Sequence, residues 1–194
     1  KYKGSDWNIH FNRLSIIDSS NRAMQPFKFD GVTIFFNGEI YNYIELKNKY
    51  FKSFKLKSNS DGEILPLLYR KKGINFLNYL NGMFSIIIID EKEKKKYLIR
   101  DRFGQKPIYY CKQKNLFIFS SEIKAIKKII NPTISKQNLD INMRIGFMPC
   151  PITLYKEIYS LEPGSLIEIK KNLSLKKTIW YKPQITEQYL SDAE

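Results

Sequence analysis

The chain has 194 residues and a mass of 23.0 kDa, which fits one domain and part of a second. Its 33 basic and 19 acidic residues give a net charge of +14 at pH 7, and 43% of the residues are hydrophobic. No apolar run reaches the roughly 20 residues that span a bilayer, and two cysteines are too few for a disulfide framework. These values exclude a transmembrane protein and predict a globular cytoplasmic one.

The positive charge raises the question of nucleic-acid binding, because basic side chains neutralise phosphates. Only six of the 33 basic residues are arginines, the side chain that base readers favour. The lysines are dispersed in short clusters, and no zinc-finger spacing, RNA-recognition motif or basic zipper is visible. We interpret the charge as a solvated surface and predict no nucleic-acid partner. A nucleic-acid binder stays an alternative that steep salt dependence would support.

The first half of the chain combines strand and helix patterns. Short β-branched and aromatic runs predict strands, whereas apolar residues three and four positions apart predict helices. A Ser with a Glu three residues later predicts a helix start. In chain order these are strands over Asn12–Ile17 and Val32–Phe36, a helix over Tyr41–Tyr50, the capping box Ser60–Glu63, a helix over Ile64–Lys72 that ends at Gly73, and a short helix over Asn75–Leu80.

The second half is richer in strands. In order, the patterns predict a buried strand over Met83–Asp90, strands over Lys95–Arg100, Ile108–Lys112 and Leu116–Ser120, helices over Ser121–Ile130 and Asn138–Ile145, and strands near Thr153–Ile158 and Ser165–Lys170 with a turn at Pro163-Gly164. Strands and helices that do not alternate as βαβ units predict an α+β fold with mainly antiparallel sheets.

Three polar segments stand out, Arg13–Ile17, Asn37–Asn42 and Ser60–Glu63, and they place Arg13, Asn37 and Asp61 at intervals of 24 residues. Each has a plain structural interpretation when taken alone. Arg13 would pair with a carboxylate, Asn37-Gly38 is a common hairpin turn, and Asp61 favours a helix N-terminus.

Taken together, the three segments indicate a binding site. A strand that ends in Asn37-Gly38 and leads into a helix exposes a side-chain amide next to a free backbone N–H, as an oxyanion hole requires. An Arg fork binds an α-carboxylate, and an Asp holds an α-amino group. The combination predicts a site that hydrolyses glutamine.

The same motifs resemble the glutaminase domain of asparagine synthetases of the glutamine-hydrolysing type. The resemblance runs in order along nearly the whole chain, through Asn12–Asp18, Gln25-Pro26, Phe36–Asn42, Ser60–Glu63, Leu80–Phe84, Arg100–Tyr110, Ser120–Ala125 and Leu161–Gly164. It implies a four-layer αββα sandwich of the N-terminal-nucleophile hydrolase type. It further implies a glutamine amidotransferase domain over residues 1–183, and over residues 184–194 the start of a linker to an ATP-dependent synthetase domain.

Residue by residue, the resemblance implies one glutamine pocket. Arg13 would bind the α-carboxylate, Glu39 and Asp61 the α-amino end, and the Asn37 side chain with the Gly38 N–H would form the oxyanion hole. The backbone lining is implied to come from Leu14, Ser15, Ile16 and Ile17. Arg100, Asp101 and Arg102 are interpreted as structural or as facing the partner domain. No metal and no cofactor are expected in this domain, whereas ATP and Mg are expected in the synthetase domain.

The family's nucleophile is a cysteine at the mature N-terminus, whose own α-amine acts as the base. Position 1 of this chain is Lys, and both Cys111 and Cys150 are internal, so we reject both as the nucleophile. We therefore expect a fragment that is inactive as given. The single histidine, His10, is interpreted as a strand residue rather than a catalyst.

Several alternatives stay open at this stage. The chain could be a glutamine-binding or partner-binding module without catalysis, or an amidotransferase for another acceptor such as a sugar. The partners that follow from the resemblance are glutamine and a C-terminal synthetase domain of the same polypeptide, and a homodimer is left open. No membrane partner is expected.

Overall fold

The computed structural model describes residues 1–12 and 17–184. Its strands are β1 (Tyr2–Lys3), β2 (Asn8–Ile9), β3 (Phe27–Phe29), β4 (Val32–Ile40), β5 (Gly82–Asp90), β6 (Lys95–Arg100), β7 (Tyr109–Gln113), β8 (Leu116–Ser120), β9 (Tyr159–Ser160), β10 (Ser165–Ile169) and β11 (Leu175–Ile179). Its α-helices are α1 (Tyr43–Tyr50), α2 (Ile64–Lys72), α3 (Ile123–Lys127) and α4 (Lys136–Ile145), and 3-10 helices cover Asn21–Ala23, Asp61–Glu63 and Gly73–Tyr79.

The strands form two main antiparallel sheets and a short hairpin. Six strands pair in the order β11-β10-β6-β5-β4-β3, three pair as β8-β7-β9, and β1 pairs with β2. Each strand pair is antiparallel in the part of the chain that the structure describes. The predicted α+β class with mainly antiparallel sheets is confirmed.

Three apolar clusters define four layers. The largest joins the six-stranded sheet to α1 and α2, on the face that points away from the second sheet, through residues such as Ile34, Phe36 and Leu68. A second lies between the two sheets and includes Leu98 and Ile108. A third joins the three-stranded sheet to α3. The order helix, sheet, sheet, helix is the αββα sandwich that the resemblance implies.

The prediction for β5 agrees with the structure to within one residue, because its sequence is apolar on both faces. In β5, even-numbered residues such as Ile86 and Ile88 face the helices, while Ile89 packs on the opposite face with Phe35. The predicted bounds of β6 and β8 match the structure, and those of β7 and β10 differ by one residue at one or both ends.

Some predicted elements are wrong or incomplete. The strand near Thr153–Ile158 is irregular chain with one isolated bridge between Ile134 and Tyr155, and the strand β9 begins only at Tyr159. The helix over Asn75–Leu80 is the 3-10 helix Gly73–Tyr79. The strand predicted over Asn12–Ile17 has residues 13–16 outside the described part, and neither Asn12 nor Ile17 is extended in a sheet.

The prediction for β4 is corrected in a way that matters for the site. Asn37 and Gly38 do not end the strand, because pairing with β5 continues through Glu39 and Ile40 to Gly82. The helix then begins at Tyr43. The strand is longer than its apolar core because β5 supplies a backbone partner for its polar end.

The capping box at Ser60 differs from its ideal form. The Ser60 hydroxyl accepts from the Gly62 N–H at 3.4 Å, two residues on rather than three. The Glu63 carboxylate does not reach back to Ser60 but accepts from the Lys57 and Ser58 N–H groups at 2.5 and 2.8 Å. This carboxylate therefore holds the loop before the helix, which carries Asp61 into the site.

The loop after β6 is organised by one buried carboxylate. Asp101 is fully buried and accepts from the backbone N–H groups of Phe84 at 3.2 Å and of Phe103, Gln105 and Lys106 at 3.0 Å each. Arg100 donates to the carbonyl oxygens of Gly104 and Leu161 at 2.6 Å. Arg102 lies over the rings of Trp180 and Tyr181. These contacts support the structural interpretation of all three residues.

Candidate active site

A cavity of about 490 Å³ lies between the two sheets, at the end where β4 leaves the apolar core. One wall is the face of β4 and β5 that looks away from α1 and α2. Because side chains alternate along a strand, Asn37 and Glu39 share this face with Phe35. The neighbouring strand adds Met83, Ser85 and Ile87 to the same wall. The sheet therefore presents an amide and a carboxylate two residues apart.

Gly38 lies between these two side chains and cannot be replaced without moving the backbone. Its φ is +145°, and a Cβ built on it would stand 2.0 Å from the Met83 carbonyl oxygen. Both the dihedral angle and the close approach of β5 require glycine at this position. The strands β4 and β5 thus meet without an intervening side chain at the base of the cavity.

The backbone N–H of Gly38 points away from β5. Along an antiparallel strand, successive N–H groups point to opposite sides. The Phe36 N–H donates to the Gln25 Oε1 at 2.7 Å and the Ile40 N–H to the Asp61 Oδ2 at 2.7 Å, both on the side away from β5. Gly38 lies midway between them, and no acceptor for its N–H is found in residues 1–12 or 17–184. Among the described residues, this N–H is an open donor.

Asn37 is the second donor at this point. Its side chain is exposed, and its amide has no hydrogen-bond partner in the described part of the chain. The side chain lies on the cavity wall directly before the open Gly38 N–H. An amide N–H and a backbone N–H in adjacent residues can stabilise one developing negative oxygen.

Asp61 closes the cavity on the side of the β4 edge. Only 4% of its surface is exposed, and one carboxylate oxygen accepts from the Ile40 N–H. Burial raises the pKa of this carboxyl above its ordinary 3.8, the N–H donors of Ile40 and Gly62 oppose that shift, and the negative charge of Glu39 adds to it. A cation that enters the cavity would therefore be favoured by both carboxylates.

The opposite wall comes from the second sheet and the start of α3. It carries polar side chains that the sequence motifs did not assign to the site, namely Lys106, Ser120, Ser121 and Glu122. His10 also lines the cavity, after β2 has ended, so its interpretation as a strand residue is wrong.

The structure brings together the predicted residues that it describes. Ile17, Asn37, Gly38, Glu39 and Asp61 all line the one cavity. Arg13, Leu14, Ser15 and Ile16 lie outside the described residues. Gln25 and Ser85 were missed as lining residues. Gln25 belongs to the Gln25-Pro26 motif of the resemblance, but its place at the cavity depends on the register of β3 against β4.

Neither cysteine lies at the cavity. Cys111 is fully buried among the residues that join the three-stranded sheet to α3, and burial raises the pKa of its thiol. Cys150 lies near the Ser160 carbonyl oxygen, with its sulfur 3.5 Å away. Among the described residues no group of three or more His, Cys, Asp or Glu side chains is placed to hold a metal ion.

The fold and the cavity together define a class of protein. The αββα sandwich is the N-terminal-nucleophile hydrolase fold, and its cavity brings the Gly38 N–H, the Asn37 amide and two carboxylates to one strand end. Residues 2–181 match the family described as a glutamine amidotransferase domain. The chain belongs to this family.

Curated relatives agree with this assignment. A putative glutamine-hydrolysing asparagine synthetase 2 from Methanocaldococcus jannaschii is 34% identical over 88% of this chain and 38% of its own length. The glutamine-hydrolysing asparagine synthetase 1 of Bacillus subtilis is 37% identical over 92% of this chain and 29% of its own length. The chain therefore spans about a third of the relatives it matches.

A solved structure supports the fold. The glutamine phosphoribosylpyrophosphate amidotransferase from B. subtilis, complexed with ADP and GMP, superposes with a TM-score of 0.60. The superposition covers 85% of this chain and 33% of the amidotransferase chain, at 18% sequence identity. No helix among the described residues is both long and apolar enough to cross a membrane.

Proposed function

We propose that this chain is the glutaminase part of an asparagine synthetase-like protein. The observation that carries the proposal is that the Gly38 N–H and the Asn37 amide, which have no hydrogen-bond partner in the described part of the chain, lie in one cavity with Asp61 and Glu39. Glutamine would place its side-chain carbonyl oxygen at the two donors and its α-ammonium at the two carboxylates. Arg13 would bind the α-carboxylate.

The reaction would need a nucleophile in addition to these residues. A thiolate would attack the side-chain carbonyl carbon, and the negative oxygen of the tetrahedral intermediate would lie between Asn37 and Gly38. Ammonia would leave with a proton from the general base, and water would then release glutamate from the thioester. In the family this thiolate belongs to an N-terminal cysteine, which residues 1–194 do not contain.

The wider activity follows from the relatives' names. The released ammonia would pass to a synthetase half that amidates aspartate with ATP and Mg, and we assign no residue of this chain to either cofactor. The protein would work in the cytoplasm, where free thiols persist. A homodimer remains an untested prediction, and an acceptor other than aspartate, such as a sugar, remains the alternative.

A second candidate function is favoured by the place of the cysteines. Both lie away from the cavity, so the 194-residue chain alone would bind glutamine without hydrolysing it. Ammonia release by the purified chain would refute this binding-only state. Glutamine binding without release supports it for the isolated chain.

Replacing Arg13 with Ala tests the assignment of the α-carboxylate site in the polypeptide that includes the synthetase half. We expect KM for glutamine to rise roughly 100-fold, because a charge-assisted hydrogen-bond pair is lost, about 3 kcal/mol. Activity with free ammonia should stay near its original value. The matched control is Arg22→Ala, at an exposed arginine of the 3-10 helix Asn21–Ala23. Equal losses with both nitrogen sources would make Arg13 structural.

The raised pKa of Asp61 predicts how glutamine binding varies with pH. The α-ammonium pairs with the ionised carboxylate, so affinity should rise with pH as Asp61 loses its proton, above pH 3.8. Calorimetric titration of the wild type and of Asp61→Asn between roughly pH 4 and 7 isolates this effect, since free glutamine keeps its charge there. Asp140→Asn, at an exposed carboxylate of α4 that pairs with Arg144, is the matched control.

The pH dependence of folding stability has the opposite sign to that of glutamine affinity. A carboxyl with a raised pKa in the fold stabilises it below the unfolded value, and that contribution is lost as pH rises through the folded value. The wild type should therefore lose stability relative to Asp61→Asn over the window in which it gains glutamine affinity. A glutamine affinity that is flat with pH in the wild type would contradict the assignment.

A further inference from the structure

The side chain of Gln25 takes the place of a backbone strand. Its Nε2 donates to the Phe36 carbonyl oxygen at 2.7 Å, and its Oε1 accepts from the Phe36 N–H at 2.7 Å. These are the two bonds that a paired residue in a neighbouring antiparallel strand would make. Gln25 is 7% exposed and lines the cavity.

The register shows which backbone it replaces. β3 pairs with β4 as Phe27 opposite Ile34 and Phe29 opposite Val32. Extending this register by two residues places Gln25 itself opposite Phe36. The main chain of β3 has left the ladder by then, and the side-chain amide of the same residue makes the two bonds instead.

One more step of the same register explains the open donor. The position opposite Gly38 would belong to Ala23, which is turned into the 3-10 helix Asn21–Ala23 and lines the cavity. Had β3 continued as a strand, its backbone carbonyl at Ala23 would accept the Gly38 N–H. The strand's early departure leaves that N–H without an acceptor in the described part of the chain.

Asp61 bonds the outward N–H on the other side of Gly38. The Asp61 Oδ2 accepts from the Ile40 N–H at 2.7 Å. Along the edge of β4, the outward N–H groups of Phe36 and Ile40 are therefore bonded, and the Gly38 N–H between them has no acceptor within residues 1–12 and 17–184. The two bonded groups hold the strand edge on both sides of the Gly38 donor.

From this we propose that Gln25 is a positioning residue for the oxyanion hole. Its amide holds the peptide of Phe36, which is covalently followed by Asn37 and Gly38, and keeps both donors fixed while the β3 backbone turns away to leave space for the substrate amide. The proposal rests on the proposed function, since it assumes that these donors bind the side-chain carbonyl of glutamine.

Hydrogen exchange tests the arrangement in the unaltered chain. In the isotope-labelled wild type we expect the Gly38 amide to exchange with deuterium faster than the Phe36 and Ile40 amides on either side. In Gln25→Met, which keeps the length and loses both hydrogen bonds, the Phe36 amide should lose its protection while Ile40 keeps it. A Gly38 amide as protected as its neighbours would overturn the proposal.

Binding of two ligands separates positioning from general stability. L-Glutamine offers an amide to the two donors, whereas L-norvaline has the same backbone groups and a side chain without that amide. We expect Gln25→Met to weaken glutamine binding about 10-fold and to leave norvaline binding unchanged. Asp61→Asn removes a negative charge that faces the α-ammonium group, which both ligands carry. It should therefore weaken the binding of both ligands alike.

The outcomes distinguish the possible failures. If Gln25→Met weakens both ligands equally, or neither, Gln25 has no positioning role and the proposal is overturned. If the wild type binds norvaline as tightly as glutamine, the amide is not recognised and the proposed function fails first. If Gln25→Met does not fold, Gln25→Glu, which keeps an acceptor for the Phe36 N–H and loses the donor, replaces it with the same ligand comparison and the same criteria.

Discussion

Replacement of Asp101 with Ala should cause a large loss of stability. The carboxylate is fully buried and accepts from four backbone N–H groups, three of them in the loop that leads to Lys106. Alanine would leave these donors without an acceptor, and each unsatisfied buried donor costs roughly 1–3 kcal/mol. Since the loop can relax toward water, we expect a total loss on the order of 4 kcal/mol.

Urea unfolding checks this value against two controls. Asp101→Asn keeps one acceptor oxygen and the shape of the side chain, so about half of the loss is expected. Asp140→Ala removes an exposed carboxylate of α4 that pairs only with Arg144 one turn away, and should cost about 0.5 kcal/mol or less. If Asp101→Ala costs no more than Asp140→Ala, the loop does not depend on this carboxylate.

Gly38→Ala should lower both the stability of the fold and the affinity of the site for glutamine. The new Cβ would meet the Met83 carbonyl oxygen at 2.0 Å and the Phe84 Cα at 2.7 Å, both of them backbone atoms that cannot rotate away. Moving β4 away from β5 and adopting the unfavourable φ should cost about 3 kcal/mol of stability. The same displacement moves the open N–H, so glutamine affinity should fall roughly 10-fold or more.

The matched control for this variant is Gly146→Ala. Gly146 also has a positive φ, +77°, but a Cβ there meets nothing within 4 Å. Gly146→Ala should lower the stability only by the cost of a positive φ in a residue with a Cβ, roughly 1 kcal/mol, and leave glutamine affinity unchanged. Calorimetric binding and urea unfolding of both variants make the comparison. Equal effects of the two substitutions would mean that the contact with β5 does not shape the site.

Comparison of the predicted and observed elements shows where sequence patterns suffice. The strand β5 and the helix α2 carry apolar patterns with clear stops, so their positions were predicted closely. The strands β1, β2, β3, β9 and β11 were not predicted. β9 is only two residues long, and the five residues of β11 are largely exposed with two lysines, so neither has a pattern to detect.

The candidate site shows the same division. Asn37, Gly38 and Asp61 were found from the sequence because residue type and spacing indicate the chemistry, and Glu39 was added by the family resemblance. Gln25 was not assigned to the site, because a glutamine before a proline has no distinctive pattern. Only the register of β3 against β4 places its amide on Phe36.

The sequence by itself determined the fold class, the family and the kinds of groups that a glutamine site requires, since these depend on local pattern and on motifs in a fixed order. Only the tertiary structure decided that Asn37-Gly38 lies within a strand and that the Gly38 N–H is open. That property depends on where the partner strand leaves the ladder, and pairing between distant segments is fixed by packing rather than by the residues of either segment alone.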